Sequence, residues 1–84
     1  RQLDALRARR SAAEAELVAA REVVGAAFFA NEAFLSAYVR AHEANTHKEA
    51  QDIFRQAVIS AIYNRLGPAL THYREAAERR DEDE

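Results

Sequence analysis

His42 and His47 stand close together, with Glu43 between them, in the run His42-Glu43-Ala44-Asn45-Thr46-His47. This is the grouping in the chain that comes nearest to a metal site. A zinc-protease helix needs two imidazoles four residues apart, so that both ring nitrogens leave one face, plus a third ligand. Here the spacing is five, and a turn is expected between the two residues. His72 is remote and, in a hairpin reversing at that turn, falls level with about residue 19, so it cannot complete the set. Both histidines are read as exposed turn residues, and no metal is expected.

Nucleophilic catalysis finds no identifiable Ser/His/Asp set, cysteine is absent, and no glycine-rich loop could cradle a phosphate. No cofactor is expected. Arg1, Arg7, Arg9 and Arg10 could touch phosphate, but a net charge of −2 gives no global attraction to nucleic acid or to an anionic membrane. No aromatic platform accompanies these arginines, and no helix-turn-helix signature stands out. Their expected partners are Asp81, Glu82, Asp83 and Glu84 of the acidic tail. Neither nucleic acid nor membrane is expected as a partner. The apolar run Val23–Val39 contains Asn31, Glu32 and Ser36 and falls short of the ~20 apolar residues a spanning helix needs.

The stretch Asp52-Ile53-Phe54-Arg55-Gln56-Ala57-Val58-Ile59 resembles the last helix of the helical-hairpin chorismate mutases. The resemblance implies a small helical enzyme that clamps a dicarboxylate with several inward arginines and lysines. Val23–Val39 contains no basic residue and Lys48 is the only lysine, so the anion would lack its clamps. The chain is read as non-catalytic, with that enzyme as the displaced alternative.

What would position any of these groups is a pair of helices. From Gln2 to Ala44 there is no proline and a single glycine, Gly25, among strong helix formers. Positions 3, 10, 17, 24, 31 and 38, together with 6, 13, 20, 27, 34 and 41, form a heptad seam rich in alanine. Ser11 and Glu14 offer a rival helix start, which would leave the first ten residues apart. Thr46-His47-Lys48-Glu49 matches a capping box and opens the second helix. Phe54, Val58, Ala61, Ile62, Leu66, Ala69, Leu70, Tyr73 and Ala77 make its apolar stripe. Gly67-Pro68 interrupts that helix, because proline lacks an N–H and crowds the preceding turn. The stripe survives the interruption, so a kink or a short restart is expected, not a change of direction.

The expected fold is therefore all-α: an antiparallel helical hairpin with a long helix at 2–44, a turn at 44–46 and a kinked helix at 47–80. Facing residues should have numbers summing to about 91, which sets apolar run against apolar run. Residues 1–84 form one module. The chain has no methionine and opens at Arg1, so it reads as part of a longer protein. Twenty alanines and an eleven-to-one excess of arginine over lysine read as the codon bias of a GC-rich genome. No cysteine and no signal peptide are visible, which favours an intracellular setting.

Two helices bury one stripe each, yet Val23–Val39 and residues 53–63 are apolar on more than one face. Self-association is expected, with a homodimer forming a four-helix bundle as the simplest form. The expected function is a scaffold or stalk segment of a larger protein. The alternative is an adaptor that captures an amphipathic partner helix through Phe28, Phe29 and Phe34. The expected interface comprises Leu17, Val24, Phe28, Asn31, Phe34, Leu35, Tyr38, Phe54, Val58, Ile62 and Leu66. Asn31, level with Ser60 in the hairpin pairing, is read either as a solvated asparagine or as a buried polar layer that fixes register.

Overall fold

The computed structural model describes residues 2–83. Helix α1 spans Gln2–His42, α2 spans His47–Val58, a π-helical stretch covers Ile59–Leu66, and α3 spans Gly67–Asp83. The last three run on as one arm, packed antiparallel against α1 in a slender hairpin of 67 × 15 × 11 Å. The pairing is direct: Glu22 meets His72, Glu16 meets Arg80, and Arg65 lies over Phe29. The first helix stops two residues before the expected turn, and the second runs three residues beyond its expected end.

The reversal is set by Thr46. Its extended backbone (φ −135°, ψ 157°) closes the entry to α2, and its Oγ1 accepts from the Glu49 N–H at 3.1 Å. Glu49 reaches back one residue beyond the usual partner, its Oε2 accepting from the Asn45 N–H at 3.0 Å. Two backbone donors that helix geometry leaves free are thereby satisfied.

Among the described residues only alanine is buried. Ala12, Ala19, Ala26, Ala30, Ala37, Ala57, Ala61 and Ala76 form the core, and no large side chain is fully enclosed. On α1 these residues keep the expected three-and-four spacing, but in a frame one residue earlier than the 3/6 seam read from the sequence. One step turns a helix by ~100°, so the hairpin seam lies on a different face. Each heptad from Ala5 to Ala33 contributes an alanine to this frame, and Val23, Ala30, Ala37 and Ala44 share its other line. Small side chains let the two backbones close up, which larger residues in the neighbouring frame would prevent.

The exception in this seam is Glu16. Two groups of α3 hold it: Arg80 Nε lies 2.7 Å from its Oε2, and the Tyr73 hydroxyl donates to its Oε1 at 3.4 Å. The buried Arg80 Nε makes no well-aligned hydrogen bond, so the contact is one of charge.

The second arm absorbs an extra residue. Ala61 and Ala76 are both buried but stand two heptads and one residue apart. The π-helical stretch between them takes up the surplus, ending in a bond from the Gly67 N–H to the Ile62 carbonyl, five residues back. Pro68 comes immediately after it. It brings no N–H, and the wider turn relieves its clash with the preceding carbonyls. A Cβ at residue 67 would lie 3.1 Å from the Ile62 oxygen, so glycine suits this place. The helix does not stop at Gly67 and restart, as the Gly-Pro pair alone suggests; it continues through the π stretch. Beyond it, Glu22–His72 and Phe29–Arg65 each sum to 94 and not 91, a shift to which that extra residue contributes.

The hairpin's open end departs from expectation. Arg7, Arg9 and Arg10 were expected against Asp81–Glu84. Instead Arg10 pairs with Glu14 on its own helix at 3.2 Å, and Arg80 takes Glu16 and, at 3.5 Å, Asp81. Arg9, Arg10 and Arg80 line one groove, so basic side chains of the two arms lie near each other. Glu84 and Arg1 lie outside the described residues. Residues 2–10 are helical and exposed throughout, so α1 starts well before the Ser11 cap.

This packing sets the response to substitution at the turn and at the glycines. Thr46→Ala should cost about 0.5–2 kcal/mol, read by urea unfolding. Gly25→Ala, whose new Cβ meets nothing within 4 Å, should gain most of the ~1 kcal/mol separating alanine from glycine in a helix. Gly67→Ala should gain less or lose, because its methyl presses on the Ile62 carbonyl.

Candidate functional site

The cavities among the described residues are open to solvent. Open grooves of about 260–360 Å³ run along the hairpin's edges. The most polar chemistry lies where Glu22, His72, Glu75 and Arg79 share a groove with Ala15, Ala19 and Ala76. His72 Nδ1 and Glu22 Oε2 are 3.4 Å apart, with side chains 69% and 50% exposed, so water competes for both. His72 stands close to residue 19, as the sequence implied. His42 stacks on Tyr38 with ring centroids 6.1 Å apart, whereas His47 contacts Gln51 at 3.2 Å beyond the turn. Among the described residues no group of three His, Cys, Asp or Glu side chains could hold a metal ion. No helix among them is long and apolar enough to cross a membrane.

The dominant surface feature is apolar. Leu3, Leu6, Leu17, Val24, Phe28, Leu35, Tyr38 and Val39 of α1 are all more than half exposed. They recur at helical spacing on the side of α1 turned away from the second arm. Leu3, Leu6, Leu17, Val24 and Tyr38 belong to the heptad frame read from the sequence, whereas Phe28, Leu35 and Val39 do not, and Ala20, Phe34 and Ala41 of that frame are half-buried. Helix α1 thus carries two stripes: an inner one of alanine, closed by its own second arm, and an outer one of Leu, Val, Phe and Tyr.

The residues expected at an interface divide accordingly. Leu17, Val24, Phe28, Asn31, Leu35 and Tyr38 are exposed on α1, and Phe34 is half-buried. On the second arm Phe54 is exposed, while Val58, Ile62 and Leu66 are half-buried. Asn31 is exposed, and its expected counterpart Ser60 instead bonds the Ala57 carbonyl of its own turn at 3.4 Å. Phe28, Phe29 and Phe34 leave the helix at directions ~100° or more apart and share no face. Phe28 is 68% exposed, while Phe29 lies beneath the Arg65 guanidinium, 4.3 Å from its ring centroid.

Leu3, Leu6, Val39 and Tyr63 belong to the exposed apolar set but escaped the sequence reading. Leu3 and Leu6 did sit in the 3/6 frame; only their distance from the Val23–Val39 run hid them. Glu16 was missed as a charged member of the seam, its signal being the one carboxylate in the heptad line that runs Gln2, Arg9, Glu16, Val23, Ala30, Ala37. Compared with protein-family models, curated proteins and solved structures, the chain finds no match.

The two stripes should respond oppositely to substitution. Ala37 is 0% exposed, so Ala37→Leu must push the arms apart and should cost at least the ~1–3 kcal/mol typical of overpacking. Leu35→Ala, two residues away but outward, should change the stability of an isolated hairpin by only about 0.5 kcal/mol or less. Urea unfolding of dilute protein compares them.

Proposed function

We propose that this chain is a non-catalytic self-association module, a homodimer joined through the outer apolar stripe of α1. Because that stripe faces away from the second arm, the two α1 helices form the middle of a four-helix layer with the second arms outside. The observation that carries the reading is the inversion of the usual burial pattern: the core is alanine and the large apolar side chains are outside. Alanine supplies little area per residue, and apolar burial contributes roughly 25 cal/mol per Å². A hairpin whose fully buried core is methyl groups, with its larger apolar side chains at most half-buried, is therefore weakly stabilised, and a small single domain has few other means of support. Covering the outer stripe removes Leu, Val, Phe and Tyr side chains from water at once. Contiguous apolar surface of that kind marks an association site in soluble proteins.

The shallow edge grooves support the non-catalytic reading, since they bring together no nucleophile, base and oxyanion donor. Capture of a single partner helix by Phe28, Phe29 and Phe34 is served less well, because the three rings diverge. Within a larger protein, such a rod-like pair would act as a scaffold or stalk segment.

Sedimentation equilibrium at micromolar concentration should give twice the 9.4 kDa chain mass. A clean monomer over the whole accessible concentration range would sink the proposal. Phe28→Ala should shift the equilibrium toward monomer while leaving helix content in the dilute state unchanged.

A further inference from the structure

We infer that the two copies meet antiparallel, outer face to outer face of α1, in one register fixed by charge. The inference rests on the self-association reading and adds the partner surface, direction and alignment.

The outer face repeats every eleven residues. Leu6, Leu17, Phe28 and Val39 stand on one line, since eleven residues make three turns plus only ~20°. A second line, four residues further on, reads Arg10, Arg21 and Glu32 at the same interval, with Glu43 next in the series one residue past the end of α1. All four are exposed. Among the described residues Arg21, Glu32 and Glu43 make no ion pair, and Arg10 has only its exposed contact with Glu14 on the same helix. The face is thus positive in its first half and negative in its second, along an unbroken apolar strip.

A face with that polarity is complementary to itself in one direction only. In a parallel pair the two charged lines would lie on opposite flanks of the contact, with arginine level with arginine, and no opposite charges would meet. In an antiparallel pair whose facing numbers sum to 53, Arg10 meets Glu43 of the second copy and Arg21 meets its Glu32. The twofold axis, between residues 26 and 27, repeats both contacts. Nearly the same alignment sets Leu17 against Leu35 and Val24 against Phe28 of the second copy, so apolar layers and charges agree on one register. Exposed ion pairs add little affinity, so their part is to select the direction in which opposite charges meet.

Charge reversal tests the register. Arg21→Glu alone and Glu32→Arg alone should each raise the dimer dissociation constant about tenfold or more in low salt, with the effect shrinking toward 1 M salt. Mixing the two variants should restore association, because each supplies what the other lacks. The double variant R21E/E32R should also dimerise to within a few-fold of the unaltered chain. A spin label at the exposed position of Ser36→Cys adds an independent reading. Two such labels should lie about 30 Å apart across the antiparallel pair at helical rise, against ~10–20 Å in a parallel one. If the single reversals dimerise normally, if mixing fails to restore them, or if the labels are close, this register is wrong though self-association stands. If the unaltered chain is monomeric throughout, the self-association reading itself falls.

Discussion

The close approach of two helix backbones along a line of alanines is the constraint on which the rest of this structure depends. Methyl-sized side chains at Ala12, Ala19, Ala26, Ala30 and Ala37 leave nothing to hold the arms apart. Because the seam admits only small residues, the larger apolar side chains of α1 must point elsewhere. On a rod 15 × 11 Å in cross-section there is no second interior for them. Their exposure is a consequence of the packing solution inside the hairpin; it is not a defect of it. The same closeness explains why a single carboxylate, Glu16, must be met by both Arg80 and Tyr73: at the margin of so tight a seam it is only partly hydrated.

The second arm meets that constraint with a local change of helix type. Its alanines do not fall in one uninterrupted heptad frame, since Ala61 and Ala76 differ from it by one residue. A five-residue hydrogen-bonded turn ending at Gly67 rotates α3 back onto the seam. Proline at the next position costs less there than in an α-helix, because the turn already leaves a carbonyl without its usual donor. Gly67 and Pro68 thus act as a register correction within one arm.

Much of this was legible in the sequence and some was not, for identifiable reasons. The capping box at Thr46 and Glu49 rests on local hydrogen bonds, so residue type and spacing suffice to locate the turn. The hairpin itself comes from that turn and from two helix-forming arms. The choice of seam could not be read in the same way. Sequence patterning ranks faces by hydrophobicity, and on that scale the frame containing Leu3, Leu17, Val24 and Phe34 outranks its neighbour. Backbone proximity ranks them by smallness instead, and selects the frame of Ala12, Ala19 and Ala26. The π stretch was visible only as a weak point at Gly67-Pro68, because a one-residue register change needs the partner helix to define it. Among the described residues Arg10 pairs with Glu14 of its own helix instead of the acidic tail, because a neighbour four residues away on one helix is nearer than any group on the other arm.

A seam of methyl groups also has mechanical consequences. Force applied across the open end, where Arg9 and Arg10 lie near Arg80, would separate the arms one shallow contact at a time, like a peeled strip. Force along the axis would load every contact from Ala12 to Ala37 together and would have to slide the arms past one another. Methyls interlock poorly against such sliding, but the π turn is a bump in an otherwise regular track, and it engages only one alignment. The hairpin is therefore weak to peeling and stiffer in shear, and its resistance to slippage is concentrated at the single irregular turn that ends at Gly67.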